Sequence, residues 1–172
     1  MVYGGYSVKQ QVSRNEVQQL YARHGRGLFA YACSVTGAFA SAEDAVHSVF
    51  ERLLGGGIVI SGPPAPYLYR AVRNAALNQR RTRDREAPVE SGWLEGRNGA
   101  DDTAFELQSV LRELPEEQRE IVILHIWGQM SFEEAANVLG ISPNTAASRY
   151  RYGLTKLREQ FHATVRKTHG QR

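Results

Sequence analysis

The stretch Ser131–Glu159, "SFEEAANVLGISPNTAASRYRYGLTKLRE", decides the fold. It opens with "SFEE", the capping-box pattern in which a serine and a glutamate three residues later satisfy the first free N–H groups of a helix. A short helix is predicted from Ser131 to Gly140, where glycine can take the positive φ of a tight turn. Ser142 then stands at a second N-cap with Pro143 at the first helical position. Beyond it Ala146, Tyr150, Leu154, Leu157 and Phe161 recur at helical spacing and draw one apolar stripe. Ala135 is small enough for the second helix to cross closely, and Ile141 fills the gap between the two. This is the plan of a helix-turn-helix, with residues 142–158 as the recognition helix.

The outer face of that helix carries Asn144, Thr145, Ser148 and Tyr152, flanked by Arg149 and Arg151. A helix N-terminus offers unpaired N–H groups and a positive dipole end to phosphate. Short hydroxyl and amide side chains near that end reach base edges. Arg149, Arg151, Lys156 and Arg158 supply cationic contacts. An amphipathic hairpin with a solvated polar face is the plainer alternative; cap, glycine, spacing and basic face together favour DNA.

Upstream, helical periodicity continues. Asn15 is placed to cap a helix reaching about Gly37, with Leu20, Leu28, Tyr31 and Val35 on its apolar side. Ser41, in the box-like "SAED", is placed to cap the next, which Gly55-Gly56-Gly57 ends. A Gly/Pro-rich loop leads to a third helix from about Pro66 to Arg85. "GIVI" at 57–60 is the one hint of a strand. Residues 87–103 lose all periodicity and read as a linker. Helices are then expected over about 102–113 and from Pro115 to Trp127, ahead of the helix-turn-helix. The expected architecture is therefore all-α: two small helical modules, 14–86 and 104–161, joined by a flexible linker.

The third helix carries a second signal. Between Pro66 and Glu86, six arginines (Arg70, Arg73, Arg80, Arg81, Arg83, Arg85) face only Asp84 and Glu86. That local excess of four exceeds the +3 of the whole 172-residue chain. Tyr67 and Tyr69 lie at its start, and Asn74 and Asn78 are one turn apart. Arginines for phosphates, aromatics for stacking and amides for base edges suit melted or single-stranded DNA. The helix after Ser41 is the opposite: Glu43, Asp44, His47 and Glu51 form a face that suits a basic protein partner rather than nucleic acid, and a merely solvated acidic face accounts for the charge alone equally well.

Other classes find little support. The five histidines (His24, His47, His125, His162, His169) are scattered, and with one cysteine, Cys33, no internal disulfide is possible. No metal spacing and no phosphate loop in its required strand-to-helix setting is found. The expectations are no catalysis, no metal, no cofactor and no small-molecule substrate. Cys33 reads as a buried small hydrophobe in a reducing compartment. No window nears the roughly 20 apolar residues of a membrane span, so a cytoplasmic location without membrane insertion is expected.

Three segments, "AEDAVHSVFERLL", "PYLYRAVRNAALNQRR" and "LRELPEEQREIVILHIWGQMSFEEAANVLGISPNTAASRYRYGLTKLRE", together resemble the extracytoplasmic-function (ECF) sigma factors, which keep only regions two and four. The resemblance implies a transcription initiation factor that binds core RNA polymerase, directs it to promoter DNA and assists melting. It implies that Glu43, Asp44, His47 and Glu51 dock on polymerase. Tyr67, Arg70, Arg73, Asn74, Asn78, Arg80 and Arg81, with the loop at about 55–66, would read the minus-ten element. There a flipped base costs a few kcal/mol that the pocket must return. Asn144, Thr145, Ser148, Arg149, Arg151 and Tyr152 would read the minus-thirty-five element, and an anti-sigma factor would be a partner. Against many relatives, Tyr67 replaces Trp, His47 replaces Gln, and Ala147 and Tyr152 stand where basic residues are common. The groove contacts are thereby shifted towards Ser148, Arg149 and Arg151. The alternative is a stand-alone helix-turn-helix regulator, which would not need the arginine–asparagine helix.

Overall fold

A computed structural model describes residues 12–56, 60–86 and 111–169. Among the described residues six helices follow one another: α1 (Arg14–Thr36), α2 (Phe39–Leu54), α3 (Pro64–Glu86), α4 (Glu116–Ile126), α5 (Phe132–Leu139) and α6 (Pro143–His169). No strand occurs among the described residues. The expected linker and most of the helix expected over 102–113 lie outside those residues, as do 57–59 of the possible strand.

Three starts differ from expectation. The cap of α1 is Ser13, not Asn15: Glu16 lies three residues after Ser13 and closes a full box, accepting the Ser13 N–H at 2.8 Å while Ser13 Oγ accepts the Glu16 N–H at 3.3 Å. Asn15 thereby falls inside the first turn of α1 and is not its cap. The second helix begins at Phe39, so Ser41 lies inside its first turn rather than ahead of it. Thr36 Oγ1 accepts the Ala38 N–H at 3.3 Å across the short corner, and the Ala42 N–H already bonds Ala38 O. The chain re-enters a helix before Ser41 is reached. The third helix also starts two residues early, at Pro64.

Helices α1, α2 and α3 pack on one another around Leu28, Tyr31, Val46, Val49, Leu53, Leu68 and Val72, all buried. Helices α4, α5 and α6 enclose a second group with Ile121, Val122, Leu124, Ala135, Val138 and Ala146. The helix-turn-helix forms as its spacing requires. Ser131 and Glu134 make the capping box. Gly140 closes α5 in the left-handed region at φ 70, which a side chain would strain. Ser142 Oγ accepts the Thr145 N–H at 3.1 Å.

Gly153 is a feature that the stripe alone did not disclose. It is buried mid-helix in α6. A Cβ built there would lie 3.1 Å from Val122 Cγ2 and 3.4 Å from Gln118 Cβ. It lets α4 and α6 approach more closely than a residue with a side chain would. His125 locks the far end: its ring stacks on Phe132 at 4.5 Å and meets Tyr150 edge-on at 4.7 Å.

Candidate nucleic-acid interface

The recognition helix α6 presents Ser142, Pro143 and Asn144 to solvent at its N-terminus, with Arg151 and Tyr152 about two to three turns further on. Tyr152 is 66% exposed, a large ring left in water. Thr145 and Ser148 lie between them, half-buried. Thr145 Oγ1 is held 2.8 Å from Ser142 Oγ, and Arg151 Nη2 reaches Ser148 Oγ at 3.3 Å. Arg149 is turned aside. Its guanidinium pairs with Glu117 of α4 at 2.9 Å, an exposed pair of the kind worth at most about 1 kcal/mol. Phosphate can therefore compete for it, but in this structure it braces α6 against α4.

On α3 the expected readers fall into two stripes. Asn74, Asn78 and Arg81, at i, i+4 and i+7, are exposed together. Arg73 and Arg80 occupy the neighbouring, half-buried stripe, while Arg70 is exposed on the same face as Asn74; all three arginines are engaged. The Arg73 Nε donates to Glu120 Oε1 at 2.9 Å, and its Nη2 to Glu120 Oε2 at 3.4 Å. The Arg80 Nη1 donates to Glu116 Oε1 at 2.8 Å and to Val35 O at 3.2 Å. The Arg70 Nη2 donates to Asn137 O of α5 at 2.7 Å. Tyr67 is half-buried against the core, with its neighbour Tyr69 fully inside. Burial pushes the Tyr69 hydroxyl up to about 12.

Glu120 was not singled out by the sequence. It is 6% exposed and holds both Arg73 and the Tyr31 hydroxyl, which donates to Oε1 at 2.9 Å. Burial, then the Glu120 charge, raises the Tyr31 pKa well above its usual value. For Arg73, burial works to lower the pKa, but the bond and charge of Glu120 prevail and raise it. Arg119 beside it donates to Ser34 O at 3.2 Å and Leu114 O at 3.0 Å, and burial lowers its pKa. A carboxylate between Arg119 and the apolar run "IVIL" is the one local sign of a buried ion. Its partner Tyr31 is 89 residues distant, so no spacing rule reaches it.

The acidic residues of α2 stand as a separate face. Glu43, Asp44, His47 and Glu51 are exposed, and Glu43 and His47 border a groove lined by Tyr21, Gly25, Phe29 and Val46. No cluster of His, Cys, Asp or Glu able to hold a metal occurs among the described residues. No described helix is long and apolar enough to cross a membrane.

Comparison with known families places both halves. Residues 20–86 match the model of sigma-70 region 2, and residues 104–157 that of sigma-70 region 4. The chain belongs to the sigma-70 family. Along most of its length this family member is similar to an ECF RNA polymerase sigma factor, SigL of Mycobacterium tuberculosis. The two are 27% identical over 154 residues, 83% of this chain and 86% of SigL. It is also 44% identical over 54 residues to an RNA polymerase sigma-E factor of Streptomyces coelicolor, a match that spans 30% of that relative's length. Two solved folds resemble it. The sigma factor RpoE, in complex with the anti-sigma factor NepR from Bartonella quintana, superposes with a TM-score of 0.69 at 24% identity, covering 87% of this chain and 98% of that one. CnrH, in complex with the cytosolic domain of CnrY, gives 0.61 at 25% identity, covering 88% and 90%. These findings agree with the ECF resemblance carried by the sequence and with its two-module all-α plan.

Proposed function

We propose that this sigma-70 family member is a transcription initiation factor. It binds core RNA polymerase, brings it to particular promoters and helps to open them. What supports this is the presence in one chain, in sigma order, of two different ridges suited to DNA. One is the arginine–amide ridge of α3; the other is the capped recognition helix α6. A lone operator binder needs only the second. The domain limits are 14–86 for the region two-like half and 104–161 for the region four-like half.

On this reading Tyr67, Arg70, Arg73, Asn74, Asn78, Arg80 and Arg81 meet the minus-ten element. Asn144, Thr145, Ser148, Arg149, Arg151 and Tyr152 meet the minus-thirty-five element. The α2 face of Glu43, Asp44, His47 and Glu51 docks on polymerase, where like charge would repel DNA. The protein acts in the cytoplasm, makes and breaks no bond itself and uses no cofactor. An anti-sigma factor is a further partner, supported by the NepR and CnrY complexes of its structural relatives.

The test is run-off transcription with sigma-free core polymerase on fragmented genomic DNA, with sequencing of the transcript starts. Starts sharing an upstream motif are expected; initiation nowhere, with folded protein, defeats the proposal. Asn74→Ala with Asn78→Ala should keep polymerase binding and lose the permanganate-reactive bubble. Glu43→Lys with Asp44→Lys should weaken capture by core polymerase.

A further inference from the structure

Two guanidinium forks stand in the first three turns of α6, Arg149 and Arg151, and their spacing does not choose between them as base readers. Their surroundings do. At about 100° of rotation per residue, Asn144, Ser148, Arg151 and Tyr152 share the arc turned away from the core, and Arg149 lies about 100° round from Ser148. That rotation carries Arg149 towards the side of Gly153, where α6 meets α4. Its Nη2 is bonded there to Glu117 Oε2 at 2.9 Å, and its side chain is only 27% exposed. Arg151 is exposed on the outer arc. Its Nη2 donates to Ser148 Oγ at 3.3 Å, one turn back on the same arc. A hydroxyl is a neutral partner that takes one N–H of the fork and leaves the others to a ligand.

The base edge that matches such a fork is guanine. Its O6 and N7 acceptors lie side by side in the major groove, and one guanidinium meets both. The neighbours on the arc are unsuited to that edge. The amide of Asn144 matches adenine, and the phenol of Tyr152 offers a single O–H. Lys156 and Arg158 lie further from the helix N-terminus, whose residues are the ones that reach base edges in this docking mode. We propose that Arg151 sets the base preference of α6, for one guanine in the major groove, with Ser148 as its positioning residue, and that Arg149 adds no base preference. The inference rests on the proposed reading of α6 as the minus-thirty-five helix and assigns the side chain that discriminates within it. The bond to Ser148 matters because a free arginine must be ordered when it binds; a fork restrained beforehand loses less. Arg149 serves instead to steady α6 on α4 through Glu117.

The test uses the full chain assembled with core polymerase and a pool of duplexes randomised upstream of a fixed, pre-melted bubble. Bound duplexes are recovered and sequenced. The parent chain should enrich a motif with one fixed guanine. Arg151→Ala should lose the preference at that column and keep it at the others, with affinity for the guanine duplex lower by about tenfold or more. Replacing that guanine by 7-deazaguanine, which lacks only the N7 acceptor, should weaken the parent and leave Arg151→Ala unmoved. Ser148→Ala should blunt the same column, and Ser148→Thr, which keeps a hydroxyl, should restore it; a serine that merely stabilised the helix would not act on one base. Arg149→Ala should lower affinity for every duplex alike and leave the motif as it was. A parent motif without guanine, a guanine column that survives Arg151→Ala, or one that follows Arg149 instead overturns the inference and leaves the minus-thirty-five reading of α6 standing. An unchanged column in Ser148→Ala overturns the positioning role. Enrichment of no motif by the folded parent chain defeats the minus-thirty-five reading, and the inference with it.

Discussion

Replacing Gly153 by valine tests the claim that its bare backbone sets the distance between α4 and α6. Adding only a Cβ, as alanine would, brings carbon within 3.1 Å of Val122 Cγ2 and 3.4 Å of Gln118 Cβ. Unstrained carbon contacts lie at about 3.5–4.0 Å. Val122 is 1% exposed and flanked by buried Ile121 and Ile123, so it has little room to yield. Overpacking of this kind costs about 1–3 kcal/mol, while glycine to alanine in a helix returns about 1 kcal/mol. Gly153→Ala should therefore lose about 0–2 kcal/mol. Valine adds two methyl groups at the same contact and gives up about half of the helix gain. Gly153→Val should lose about 2–4 kcal/mol, and at about 2–4 °C per kcal/mol for a chain of this size the Tm should fall by about 5–15 °C. Thermal unfolding followed by circular dichroism measures both. A valine variant melting within about 1 °C of the parent would refute the idea that α6 is seated through Gly153.

Other outcomes follow from the caps and the titrating groups. Ser131→Ala removes the capping box of α5 and should cost about 1 kcal/mol, read as a small fall in Tm, whereas Ser41→Ala should change little because Ser41 caps nothing. The Ser13 N–H, then the Ser13 hydroxyl, holds the Glu16 carboxyl below its ordinary 4.5. Its contribution to α1 is thus complete above about pH 4.5 and lost as pH falls through the lowered value, which carboxyl NMR titration of the parent and Ser13→Ala chains checks. Burial, then the Arg23 charge, holds His24 below its usual 6.5. The unfolded chain therefore binds that proton more readily, and stability should drop as pH is lowered from 6.5 towards the folded value; His24→Gln should flatten that slope in denaturant melts.

The helix-turn-helix was the most legible part of the molecule because its rules are local. Ser131, Glu134, Gly140, Ser142 and Pro143 each act within four residues of themselves, and each does in the structure what its spacing implies. The starts of α1 and α2 were less legible because several polar residues compete there. Glu16 decides for Ser13 over Asn15, and Thr36 with Ala38 turns the corner before Ser41. The basic ridge of α3 was legible as charge but not as geometry. Which arginines face Glu116 and Glu120, and which amides face water, depends on how the halves pack. No periodicity within α3 encodes the carboxylates that approach it from α4. Gly153 escaped for the same reason: a glycine within a helical pattern reads as a mild flaw until the helix that touches it is known.

Trp127, at the end of α4, sits beside Gly27 of α1, where a Cβ would lie 3.8 Å from Trp127 Cβ. The chain has two tryptophans, Trp93 and Trp127. With Trp93 changed to phenylalanine, the indole at the junction of α1 and α4 becomes a built-in optical gauge. Its emission should redden as water reaches it, so that any parting of these two helices is timed by colour alone, without a dye attached to the molecule.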